Sequence, residues 1–564
     1  MTESKKAANG KKKTSSRARA NDDGKGRSAE AAPESRKSDS PRKPTGPKSG
    51  AGKKSATKKS APEKSTSKKP ATKKSGPKKS GPKKSGPKKS TSSDKSTKNT
   101  SATKPSPSEM TEPSTDRSSG FRELAMDRAK GKLVMLPRFL AGNDRRLHVR
   151  QTLREDHEIR IARGADDAHL KFDKLDGSLF SFFRGTCLLF YRDMAGEDAW
   201  MPTVLTLGDV HPENFGVMPS ADNVPIFGVN DFDEAYYAPF TWDLKRGAVG
   251  FTIGAQVEGG LGRKRQRRVV ESFVHGYIDA IEKFAEDGNE LEHQMRMDNA
   301  PKLIRKLIED ADDDDRDEWL VDRYHDEFRR GFRASDELVP LSSRRAEFQK
   351  HIDRFVKENE VPVPDRAGRM HVKDVCIRLG QGTASLGLSR YYVLIEGARG
   401  DSTDDLIIEF KQARRSALSN LVPPSEYELD GHGERIAHAQ GVQLVRGDVF
   451  YGGIEFEGTS FMVRERAPFR DDIDLDDLSK KEWNKYAKIC GGSLGHAHSL
   501  SDETGLLDHD IEPILLEAIG DRDLFVDDIV RFASEAADRV RSDHEHFRKD
   551  YALGAFSLTD KRYR

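Results

Sequence analysis

Five side chains within a span of about 25 residues carry the chemical question of this sequence: Asp209, His211 and Asn214 in LTLGDVHPENFG, then Asp231 and Asp233 in VPIFGVNDFDEA. Carboxylate and carboxamide oxygens are the donors that hard divalent cations such as Mg²⁺ select, and such ions commonly bridge to substrate phosphates. Asn214 follows Asp209 by five residues, close enough for one turn to bring both around a single space. Asp231 can supply the charged ligand, which leaves Asp209 to orient or deprotonate a hydroxyl; Asp233 can stand in for Asp231. Capping turns use the same residue types, but three such residues, each following a strand, favour a site. His211 is expected to hydrogen-bond within its loop rather than to hold a metal. His496 and His498 are two residues apart on an expected helix, so they point to different sides and do not form a metal pair. For Arg184, an ion pair in the core and a phosphate contact both remain open.

A second set lies downstream. GQGTASLG contains Gly380, Gly382 and Gly387, IIEFKQA carries Lys411, and a following helical segment carries Glu434. Glycine lets backbone N–H groups approach phosphates, lysine neutralises their charge, and a glutamate can hold that lysine in place.

The elements that must position these residues follow from pattern. Residues 119 to about 198 read as mainly helical, with a dense apolar run around Arg184. TVLTLGDV and VPIFGVNDF have the β-branched character of short buried strands. Val270, Phe273, Val274, Tyr277, Ile278, Ile281 and Phe284 recur at helical spacing, which predicts a long packed helix. The acidic run from Glu309 to Asp317 reads as a solvated loop. From Val372, glycine turns between apolar runs predict two or three antiparallel strands, then a helix in GERIAHAQGVQLV and one more strand in GTSFMVRERAP. EWNKYAKICGGSLGHAHSL and the segment from Asp523 to His546 return to helix.

Composition sets the limits. The chain has 564 residues and a net charge of +3. That small figure conceals two opposite objects, because residues 1–118 carry about +22 and the remainder about −19. The first segment is Lys-, Ser- and Pro-rich, contains SGPKK three times in register from Ser75 to Lys89, and lacks the apolar side chains for a core, so disorder is expected. Its lysine pairs suit nonspecific contact with successive phosphates of a nucleic acid. The segment resembles the lysine-rich tails of linker histones and some bacterial nucleoid proteins. No run of 18 apolar residues and no secretory segment is seen, so a cytoplasmic protein without membrane contact is expected, with nucleoid association open through the tail. Cys187, Cys376 and Cys490 are far apart in apolar contexts and are expected to be buried thiols.

GDVHPEN, NDFDEA and TWDLKR together resemble the catalytic and metal-binding loops of aminoglycoside phosphotransferases and, more distantly, of protein kinases. Residues 119–564 more closely resemble the bacterial family called domain of unknown function 2252, through Phe182-Phe183-Arg184-Gly185, Gly208 to Gly216, Asn230 to Glu234 and Trp242 to Arg246. The kinase resemblance implies Asp209 as catalytic base, Asn214 and Asp231 as metal ligands, and Asp243 as the aspartate that buttresses the catalytic loop. It implies ATP, or another nucleoside triphosphate, and Mg²⁺ as cofactors, with a small-molecule hydroxyl as acceptor. The nucleotide-lobe residues Gly380, Gly382, Gly387, Lys411 and Glu434 follow the catalytic segment instead of preceding it. The expected fold is therefore α+β and kinase-like, two-lobed and circularly permuted, behind the disordered basic tail. Its parts are the tail (1–118), a helical lobe with the catalytic and metal-binding loops (119–370), a β-rich nucleotide-binding lobe (371–470) and a C-terminal helical segment (471–564). The alternative is a noncatalytic kinase-like binding protein, tethered to nucleic acid by its tail.

Overall fold

The computed structural model describes residues 117–163, 166–312, 315–380, 387–422, 431–503 and 507–557, without the side chains of 159 and 162–169. Gly382 and nearly all of the basic tail lie outside the described residues. The described residues belong to one compact unit. Among the described residues it is a mixed α+β structure with eleven strands: β1 (Thr203–Thr206), β2 (Phe215–Pro219), β3 (Pro225–Val229), β4 (Tyr236–Pro239), β5 (Leu338–Pro340), β6 (Val372–Arg378), β7 (Arg390–Ile395), β8 (Leu406–Gln412), β9 (Gly452–Phe456), β10 (Thr459–Glu465) and β11 (Asp471–Asp472).

Three antiparallel sheets result. β1 pairs with β4, and β2 lies between β11 and β3; the remaining six strands run in the order β5-β6-β7-β8-β10-β9. In the large sheet a helix, His432–Gln443, falls in the chain between β8 and β9 and packs on β9 and β10. Gly433 allows that approach, because a Cβ there would lie 2.3 Å from the Phe461 carbonyl oxygen.

The helical part is built around two long helices, Arg263–Asp287 and Lys480–Ser499. All seven apolar residues that predicted the first of these are buried. The two helices meet backbone to backbone. A Cβ on Gly276 would sit 2.0 Å from the Lys488 oxygen, and one on Gly491 would sit 1.9 Å from the Phe273 oxygen. Larger residues at these positions would force the helices apart, since side chains normally hold helix axes about 8–10 Å from each other.

Three expectations change. Helices Lys302–Asp312 and Arg316–Arg323 take the two ends of the acidic run that was expected to be a loop. Ile304, Leu307, Ile308 and Ala311 bury one face of the first, and Asp315 caps the second by accepting from Glu318 N at 3.0 Å. β2, β4, β5, β9 and β11 come as additions, because each is short, and all but β11 contain Gly or Pro, which strands disfavour. The large sheet also recruits residues ahead of 371: β5 pairs with β6, and Phe348, Ile352 and Phe355 of helix Arg345–Glu358 pack into its core. The three cysteines are buried and free, as expected.

Candidate active site

Helix Phe240–Val257 underlies the Asp209 loop. Asp243 and Arg246 are three residues apart on it, so they share a face one turn apart. The fully buried Asp243 accepts from Leu207 N at 2.6 Å through Oδ2 and from Gly208 N at 2.9 Å through Oδ1. His498 from helix Lys480–Ser499 lies 3.1 Å from Asp243 Oδ2, and Tyr277 OH lies 2.9 Å from the other ring nitrogen of His498. His496 turns away to the Glu290 carbonyl oxygen at 2.8 Å, so the two histidines serve different sides of their helix. Gly208 makes the loop possible. Its φ is +79°, and a Cβ would lie 2.2 Å from the Glu234 carbonyl oxygen, so only glycine fits both the backbone angle and the approach.

Arg246 donates to Asp209 Oδ1 through Nε at 3.0 Å and Nη2 at 2.6 Å, and to the Phe183 carbonyl at 2.9 Å. Its guanidinium also stacks 3.8 Å from the centre of the Phe183 ring. Both contacts to Asp209 fall on one oxygen, which leaves Oδ2 for other partners. Burial raises Asp209 above the ordinary carboxylate range and the Arg246 charge opposes it. His211 is buried, and Glu213 N donates to its Nδ1 at 3.3 Å. Its Nε2 lies 3.8 Å from Asp209 Oδ2. Burial, with Arg184 next, holds the imidazole well below its usual value and therefore neutral. It acts within its loop, as expected. Arg184 pairs with Glu213.

Asn214 is buried and donates from Nδ2 to the Asp209 carbonyl at 2.7 Å, so Oδ1 is the remaining amide group. Its own carbonyl accepts from Asn230 N at 3.2 Å, which ties the Asp209 loop to the Asp231 loop. Asp231 is half-buried, accepts from Asp233 N at 3.3 Å and acts electrostatically on Asp209. The oxygens of Asn214, Asp231 and Asp233 are a donor set suited to a hard cation.

The large sheet meets these loops at Lys411, near the end of β8. Lys411 forms an ion pair with Asp233, not with Glu434, which is exposed. Arg435, the next residue, is buried and donates to the carbonyls of Ala235, Asp233 and Arg414, fastening the loop to the sheet's helix. Gly380 and Gly387 flank the β6–β7 connection with φ of +75° and +77°. On the same face of the sheet as Lys411, Glu409 pairs with Arg390 at 3.1 Å and Arg464 at 2.6 Å.

A cavity of about 400 Å³ opens beside Asp209, lined also by Lys171, Arg184, Glu234, Arg414 and His432. Burial pushes Glu234 up to about 7 against the Arg414 charge. The sequence reading gave no role to Arg246, Glu234, Arg435 or Lys171. The one legible signal was the Asp243–Arg246 spacing.

Residues 163–550 match the family model described as "Uncharacterized protein conserved in bacteria (DUF2252)". No curated protein and no solved structure gives a significant match.

Proposed function

We propose, from the premise that this chain belongs to the DUF2252 family of bacterial proteins, that it is an ATP- and Mg²⁺-dependent phosphotransferase with a circularly permuted kinase-like arrangement. The observation that carries the reading is the ion pair of Lys411 with Asp233, which joins a glycine-turn sheet to the loops of Asp209, Asn214 and Asp231. In protein kinases the phosphate-aligning lysine is on the third strand, after the glycine-rich turn, and a helix follows it. Here the glycine connection joins β6 to β7, Lys411 is on β8, and His432–Gln443 is the next helix. The permutation is supported where Leu205 N of β1 donates to Ser501 Oγ at 3.1 Å, which sets the end of helix Lys480–Ser499 against the strand leading to Asp209.

In this reading the acceptor hydroxyl enters the cavity beside Asp209 and gives its proton to Oδ2. Arg246 fixes the carboxylate through Oδ1, and Asp243 fixes the loop backbone. Lys411 leaves Asp233 to align the donor's phosphates. Asn214 Oδ1 and Asp231 would hold Mg²⁺, with Asp233 available once released, and the ion would supply charge neutralisation on the phosphate chain. The neutral His211 adds no further positive charge beside Asp209.

The test is thermal unfolding with and without ATP and Mg²⁺, in the wild type and in Asp231→Ala. Ligand at about 100 times its dissociation constant adds roughly 2.7 kcal/mol of stability. A Mg²⁺-dependent rise that vanishes in the variant is expected; no rise in the wild type refutes the proposal. The basic segment 1–118 fits nonspecific nucleic-acid contact, and deleting it should remove salt-dependent DNA binding.

A further inference from the structure

The cavity beside Asp209 is walled by two carboxylates that are each half used. Arg246 takes Oδ1 of Asp209 and leaves Oδ2. Glu234 accepts from Ala417 N at 2.6 Å through Oε2, while Arg414 Nη2 stands 3.8 Å from its Oε1, too far for a hydrogen bond. The backbone brings the two groups together, because Gly208 approaches the Glu234 carbonyl so closely that no side chain fits there. Each carboxylate thus keeps an uncommitted oxygen, and both residues line the same cavity of about 400 Å³, a volume typical of small-molecule sites.

The charges around this space are already matched. Arg414 donates to the Asp156 carboxylate at 3.1 Å, Arg184 pairs with Glu213, and Glu155 is held by Arg117 and Arg192. Burial, with the Arg160 charge next, holds the Lys171 amine well below its usual value, and burial lowers His432 as well. Glu234, which burial pushes up to about 7, is part-protonated near neutrality and can both accept and donate. A carboxylate or phosphate entering here would have to take Arg414 or Arg184 from its partner, and an ammonium would have to take Asp156 or Glu155. Breaking such a pair leaves a charge uncompensated. None of the described lining residues is Phe, Tyr or Trp, so a nucleobase or other aromatic ring finds no face to stack on.

We propose that this cavity binds a small uncharged polyol through two of its hydroxyls, one at Asp209 Oδ2 and another at Glu234 Oε1. Hydroxyls suit both positions because they donate to an oxygen without bringing a charge. The polyol's role as acceptor rests on the phosphotransfer reading; its binding rests on the cavity alone. On that reading, the hydroxyl oxygen at Asp209 bonds to the γ-phosphorus of ATP as the bond to ADP breaks, and its proton passes to Asp209. The contact with Glu234 then decides which hydroxyl reacts.

The experiment uses the full-length protein. Calorimetry without nucleotide compares glycerol, glucose and myo-inositol with the charged compounds gluconate, glycerol phosphate and glucosamine. Saturable binding of a neutral polyol is expected, weakened about tenfold or more in Glu234→Ala and largely retained in Glu234→Gln, which keeps an acceptor oxygen. Deoxy analogues of the polyol that binds repeat the test on unaltered protein, where loss of the hydroxyl at Glu234 should weaken binding by a similar factor. Preference for a charged compound overturns the class. No binding by any of them, or equal affinity in Glu234→Ala and for every deoxy analogue, overturns the site. ATP and Mg²⁺ are then added and ADP release is followed. Polyol binding without polyol-dependent ADP release supports the site while refuting the phosphotransfer reading.

Discussion

The two faces of the six-stranded sheet are built for different work. One is apolar: Val393, Ile408, Phe410 and Val463 bury against Phe348, Ile352 and Phe355 of the helix Arg345–Glu358. The other is divided. Tyr392, Leu394 and Ile407 pack under Trp319 and Tyr324, while Arg390, Glu409, Lys411 and Arg464 form a buried ionic group toward the Asp233 loop. Burying charges is expensive, and well-packed apolar residues of equal volume often do as well or better for stability. The apolar face therefore carries the sheet's stability, and the ionic patch is the part whose chemistry calls for another explanation.

Phe348→Ala should have the largest effect, about 3–5 kcal/mol in denaturant unfolding, because a buried ring leaves a cavity that its neighbours fill only in part. Its ATP·Mg²⁺-dependent rise in midpoint should persist. If that rise is lost instead, the faces are not separable.

Glu234, in the loop facing the ionic patch, comes next. Its folded value of about 7 lies above the ordinary 4.5. The protonated form is thus favoured by folding, and this stabilisation is present below pH 4.5 and lost as pH rises through 7. Glu234→Gln should gain on the wild type by roughly 3 kcal/mol at pH 8 and by little at pH 4. Parallel unfolding curves across pH would remove Glu234 from the account.

Lys411→Met should cost about 1–3 kcal/mol by leaving Asp233 without its partner. It should abolish the ATP·Mg²⁺ effect, and adding Asp233→Asn should recover stability but not nucleotide response. The smallest change is expected for Glu434→Ala, within about 0.5 kcal/mol and with nucleotide response intact, as for an exposed side chain. A large loss there would restore Glu434 as the partner of Lys411 in the nucleotide-bound protein.

How much of this was legible in the sequence varies with the physical range of the signal. Helical periodicity located Arg263–Asp287, and β-branched runs located β1, β3 and β6 to β8, because those patterns are local. The strand pairing FGVMP–PIFGV was only half visible, since Phe215–Pro219 has a single β-branched residue, Val217, and gains its place by pairing with β3. For the site, the residue types around Asp209 were legible and their partners were not. Nothing local says that Lys411 meets Asp233, 178 residues away, in preference to a glutamate on the very next helix. Arg246 stood in a motif that was noticed, and one turn of helix from Asp243; its bond to Asp209 depends on the loop folding back over that helix.

The glycine seam between helices Arg263–Asp287 and Lys480–Ser499 has a mechanical meaning. Two backbones in direct contact have no intervening side-chain rotamers to absorb sliding, so this pair behaves as a spine rather than a shear plane. Amide hydrogen exchange should be slowest along this spine.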